Sequence, residues 1–101
     1  MTVHFTPLAA EDLDKILAGL TSKSANAARG LAAALSVQLQ LCDRLPRAYP
    51  QSREPRVRRC PLTSYPYTIY FRERSGSDGI EVLMVIHSAR VKTLTQMPER
   101  D

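Results

Sequence analysis

The chain has no tryptophan, two cysteines, two histidines and four glycines in 101 residues. Cys42 and Cys60 match no metal spacing, and His4 and His87 are not placed to complete a zinc site, so no metal and no cofactor is expected. The two thiols read as small, partly buried side chains of a reducing compartment. Long apolar runs are also missing. The longest, residues 82–86, is five residues, against about 20 for a membrane span. Met1 is followed by polar residues and a proline rather than by a basic start and an apolar stretch, so no secretory leader is expected. These absences point to a soluble cytoplasmic protein with no membrane contact. There is no internal repeat and no low-complexity segment.

What remains is ordinary globular composition, 44% apolar and 24% charged. The length fits one small domain over residues 1–101, with 92–101 expected to fray. A chain this short buries roughly 60–65% of the surface its unfolded form exposes. Its core is modest, and a partner would be a natural source of further stability.

Charge is uneven. Residues 1–42 hold three bases and three acids; residues 43–101 hold eleven bases and seven acids, which accounts for the whole net charge of +4. The densest part carries Arg44, Arg47, Arg53, Arg56, Arg58 and Arg59 against the single acid Glu54. Arginine presents a planar fork to phosphate or carboxylate. The cluster implies an anionic partner, nucleic acid or an acidic protein segment, or else a solvated basic face without one.

The order of elements follows from periodicity and punctuation. Residues 2–5 read as a short strand. Thr6 and Pro7 sit where an N-cap and first helical position belong, and Leu13, Ile16, Leu17 and Leu20 follow at helical spacing. Ser22 or Ser24 can cap a second helix over residues 25–45, rich in Ala, Leu and Gln. Its expected buried face holds Leu31, Ala34, Leu35, Gln38, Leu41, Cys42 and Leu45. Gly30 and the alanines allow close approach to a neighbour, and Pro46 ends the helix. Strand-like segments follow at 56–62, 65–73 and 80–87, the last two joined by the turn signal at 75–79 into an antiparallel hairpin. The expected fold is α+β: an N-terminal strand and a two-helix hairpin packed on a mainly antiparallel twisted sheet, in the order β-α-α-β-β-β, with the second sheet face only partly covered.

The third of these strands ends in "IHSAR", which puts His87 and Arg90 at the sheet rim. An imidazole with a reference pKa near 6.5 can serve as acid or base. If residues 56 and 58 share a strand face, Arg56 and Arg58 point together toward a phosphate and Arg59 points away. The plainer reading is a strand-end histidine bonded to nearby backbone and an Arg90 paired with Glu73 or Glu81. Tyr65 and Tyr67 should share one sheet face, with Tyr70 on the other, as packing residues.

"FTPLAAEDLDKIL", the Ala-rich helix closing at "LP", the Arg-bearing strand, "YPYTIYF" and the closing "VIHSAR" occur in an order that resembles the RelE/ParE superfamily of bacterial toxins from type II toxin–antitoxin systems. The resemblance spans residues 2 to about 92. The tyrosine-rich strand and H-x-x-R strand end look more like the ParE branch, whose members poison DNA gyrase, than the RelE branch, whose members cut messenger RNA on the ribosome. It implies a cognate antitoxin, expected with an acidic C-terminal segment, a hetero-oligomer of the two, and contact with operator DNA only through the antitoxin.

RelE-like members carry lysines on the strand matching 56–60, where arginines stand here. Tyr67 occupies the position of an arginine, and nothing beyond Phe71 is aromatic. An arginine is a poor base, and missing aromatics weaken a grip on splayed RNA bases. The expectation is therefore a binder that is not an enzyme. Arg53, Arg56, Arg58, Arg59, Tyr65, Tyr67, Arg72 and Arg90 are its candidate target- or antitoxin-binding residues. The alternative is a ribosome-dependent endoribonuclease with His87, Arg90 and Arg58 as candidate catalytic residues.

Overall fold

The computed structural model describes residues 3–74 and 79–89. Two helices, α1 (Pro7–Thr21) and α2 (Ala25–Arg44), lie on one face of a sheet formed by β1 (Val3–Phe5), β2 (Arg58–Pro61), β3 (Tyr67–Glu73) and β4 (Ile80–His87). The strand order is β1-β4-β3-β2. β3 pairs antiparallel with both β2 and β4, whereas β1 runs parallel to β4, opposing Val3 to Ile80. The expected α+β order is thus present, with one parallel pair at an edge.

Local chemistry sets the helix starts. The Thr6 hydroxyl accepts from the Ala9 N–H at 3.1 Å, and Pro7 follows it. Of the two candidate serines, Ser24 caps α2 by accepting from the Ala27 N–H at 3.2 Å, while Ser22 closes α1. Leu13, Ile16, Leu17 and Leu20 pack against the core as their spacing predicts. On α2 the buried stripe is Ala28, Leu31, Leu35, Leu39 and Cys42. Leu41 and Leu45, expected inside, are exposed, Leu45 at 63%. The stripe passes through Leu39 instead, which joins the main core cluster. Tyr65 packs its hydroxyl against Gly30, where a Cβ would collide with it.

Two expected strands are shorter than their sequence patterns. β2 starts at Arg58, because Arg56 has φ 70° and stands in a turn, so Arg56 and Arg58 do not share a strand face. β3 starts at Tyr67, two residues after Tyr65, which nevertheless packs with Tyr67 on the helix side while Tyr70 faces the other. Of the 75–79 turn, residues 75–78 lie outside the described residues, as do Arg90 and the tail at 92–101.

A β-bulge resets which β4 side chains point to each face of the sheet. Tyr70 opposes Met84 and Phe71 opposes Val82, which leaves Leu83 without a partner. Val82 and Val85 therefore face the helices, while Leu83 and Met84 both join Tyr70 and Val57 on the opposite face. Thr6 secures the bulge: its N–H donates to the Val82 carbonyl at 3.0 Å and its hydroxyl to the Leu83 carbonyl at 3.2 Å. The second face is thus better buried at its centre than its partial cover suggested.

Candidate functional site

The charged side chains divide into those that hold the fold together and those that face outward. His87 ends β4 and is exposed. Its ring meets Tyr67 edge-on, with centroids 5.5 Å apart at 74°, and its Nδ1 accepts from the Ala89 N–H at 3.2 Å. In neutral His87 the proton therefore sits on Nε2. Beside it, Ser88 donates its N–H to the Pro66 carbonyl at 2.8 Å, and its hydroxyl shares a 2.9 Å bond with Thr68. The plainer reading has the imidazole donating to a backbone carbonyl; the bond here runs the other way, with the ring as acceptor, and Arg90 lies outside the described residues. Glu73 and Glu81, the acids considered for Arg90, are bound to Arg47 at 3.0 Å and Arg72 at 2.7 Å.

Arg58 points to the helix side with Cys60 and donates from Nη1 to the Tyr49 carbonyl at 2.7 Å, pinning the segment after α2 to β2. Arg72 grips one Glu81 oxygen with both Nε and Nη2 across the β3–β4 ladder. Tyr65 and Tyr67 are half-buried against the main core. Arg59 emerges on the opposite sheet face, beside Tyr70. Burial raises the Tyr70 phenol above its usual value, and the neighbouring Arg59 works against that rise. Arg53, Arg56 and Arg59 are exposed, so of the eight candidate binding residues these three face solvent most fully among the described residues.

Residues 51–58 form a tight loop. Gln51 bridges Arg58, the Ser52 N–H donates to the Val57 carbonyl at 2.7 Å, and the Val57 N–H donates to Glu54 at 3.1 Å. Pro55 and Arg56 are the central residues of that last turn. A positive φ at the second of them is the type II pattern, in which glycine is usual. Val57 is fully buried on the second sheet face and anchors the loop there.

Sequence reasoning missed the surroundings of the two cysteines. Both are free and buried in the same cluster, and Gln38 donates to Cys60 Sγ at 3.3 Å. The two thiols and the Tyr49 phenol lie close enough to influence one another's protonation. The Cys60 thiol, then burial, pushes Cys42 well above its usual value, while the Cys42 thiol lowers Cys60. Burial, then the cysteines' charge, raises Tyr49. A signal was available, since both cysteines fall on buried faces of their elements. No group of three metal-ligating side chains occurs among the described residues, and no described helix is long and apolar enough to cross a membrane.

Together these features define a small basic α+β domain with a charged strand edge. The family model for the ParE toxin of type II toxin–antitoxin systems matches residues 3–92, and the chain belongs to that family. Among solved structures it resembles the chromosomal ParDE toxin–antitoxin system from P. aeruginosa, with a TM-score of 0.71 and 22% identity, over 86% of this chain and 95% of that one. At that identity the likeness establishes the shared fold. No curated protein matches the sequence significantly.

Proposed function

We propose that the chain inhibits bacterial growth by binding an essential target, DNA gyrase, and that it does not cut RNA. What carries this reading is how His87 and Arg58 are held. Metal-free RNA cleavage needs a base for the 2′-hydroxyl, an acid for the leaving oxygen and a cation for the phosphorane. Here the His87 Nδ1 is engaged by the Ala89 N–H, Arg58 bonds a backbone carbonyl, and Arg56 lies off the strand. These partners favour a rim that holds its shape over one that moves protons.

A cognate antitoxin with an acidic C-terminal segment neutralises the toxin in the cytoplasm as a hetero-oligomer, and operator sequence is read by the antitoxin. The net charge of +4 suits an acidic partner. Arg90 remains among the proposed contacts on its sequence position alone, and Arg90→Ala should weaken toxicity without abolishing folding.

The test is expression in a bacterium lacking the antitoxin, with two readouts from one culture. DNA breaks and an SOS response with intact messages are expected. Codon-phased message cuts with a quiet SOS response would overturn the reading and make His87, Arg90 and Arg58 catalytic candidates.

A further inference from the structure

We propose that Arg53, Arg56 and Arg59 form a surface that grips the phosphate backbone of nucleic acid without reading its sequence. The proposal goes beyond the target reading and stands whether or not gyrase is the target. It is compatible with operator recognition by an antitoxin, because phosphate contacts position a protein without specifying sequence.

The first observation is the backbone at Arg56. A φ of 70° is a costly backbone conformation for a non-glycine residue and persists only where its surroundings impose it. They do so here. Pro55, directly before it, has its own φ locked by the ring, Val57 is buried without remaining exposure, and the Ser52 hydroxyl accepts from the Glu54 N–H at 3.1 Å. Glycine would remove the cost, yet the position carries a long cation. That cation has no hydrogen bond or ion pair among the described residues, and it stands exposed at the loop tip.

The second observation is what the surface lacks. The exposed large apolar side chains are Phe5, Leu8, Val37, Leu41 and Leu45, none of them in residues 50–59. Protein interfaces are centred on buried apolar or aromatic anchors, and this loop offers none. Nor can an acidic peptide add as a strand here. The outer edge of β2 is already occupied, with Gln51 bridging Arg58 and the Arg59 N–H donating to the Pro50 carbonyl at 3.0 Å. The loop, closed by its own hydrogen bonds, and the adjoining strand present exposed arginine side chains, whose planar guanidinium groups suit phosphate.

The experiment is fluorescence anisotropy of the purified chain with a short mixed-sequence DNA duplex across a salt series, with polyglutamate as the competing probe. Binding should weaken with salt at a log–log slope of roughly −2 to −3, from about 0.9 per phosphate neutralised. Arg53→Gln, Arg56→Gly and Arg59→Gln should each reduce the slope by about one unit. Arg56→Gly is the decisive variant, because it relieves the backbone: its thermal midpoint should hold or rise while binding falls. Arg29→Gln, on an exposed arginine of α2, should leave the slope unchanged. Absence of salt-dependent duplex binding, Arg56→Gly binding like the parent, an equal loss in Arg29→Gln, or polyglutamate binding as tightly with the same arginine dependence would each overturn the proposal.

Discussion

The Asp12 carboxylate on α1 accepts a hydrogen bond from the Val85 N–H on β4 at 3.2 Å, across 73 residues of sequence. Thr6 bonds the same strand on the other side of the bulge, at Val82 and Leu83. Beyond Phe5, where β1 ends, α1 thus satisfies polar groups that a neighbouring strand would otherwise have taken. Asp12→Ala should destabilise the fold by about 1–3 kcal/mol, the range for stranding a buried donor. Asp12→Asn keeps an acceptor oxygen and should cost less. Urea denaturation of the two variants checks the order.

Gly30 and Tyr65 make a second prediction. Alanine favours a helix interior over glycine by about 1 kcal/mol, but a Cβ at Gly30 meets the Tyr65 hydroxyl oxygen. Gly30→Ala should therefore be destabilising, by about 1–3 kcal/mol as for overpacking elsewhere. Tyr65→Phe removes the obstructing atom, and in that background Gly30→Ala should be close to neutral or stabilising. A double-mutant cycle by thermal unfolding reads the coupling. Additive effects would show that the ring moves aside freely.

Alkaline pH should unfold the protein early. Cys42 is raised above its ordinary 9.0, and Tyr49 and Tyr70 above 10.0, with burial contributing to each. For these groups the unfolded chain loses protons first, so it binds fewer than the native state and stability falls as pH rises. Their contribution is intact below pH 9.0 and declines above it. Cys60 is lowered and acts in the opposite sense. Urea midpoints measured from neutral to alkaline pH should drop above that value, and Cys42→Ala should flatten the drop while lowering the midpoint throughout.

Much of this was legible in the sequence, and the failures have physical causes. Thr6, Pro7 and Ser24 announced both helices because capping is local chemistry. The faces of β4 were not legible, because residues 82–86 are all apolar and show no alternation from which a bulge at Leu83 could be read. On α2, leucines occur on two adjacent stripes, and only tertiary packing decides that Leu39 is buried and Leu41 is not. Arg56 looked like a strand residue. The Pro55–Arg56 pair also fits a type II turn, and the long-range burial of Val57 selects that conformation. Arg58 and Arg72 stand as binding candidates, and their bonds to the Tyr49 carbonyl and to Glu81 were not legible because neither partner is a neighbour in sequence.

If Arg58 is a structural tie and not a catalytic group, its removal should act through stability. Arg58→Ala should lower stability by about 1.5–3 kcal/mol, the range for a charge-assisted bond, through loss of the bond to Tyr49. His87→Ala should leave toxicity within a few-fold of the parent when expressed to equal soluble levels. Loss of toxicity by His87→Ala with unchanged stability would point instead to chemistry at the rim.

The most direct measurement adds the purified chain to DNA gyrase and supercoiled plasmid with ATP, and scores cleaved DNA after protein digestion. Gyrase-dependent linear DNA should accumulate with dose, persist with His87→Ala and be suppressed by the antitoxin. Unimpaired supercoiling without cleavage, together with cutting of ribosome-bound message by the same preparation, would rule out gyrase as the target.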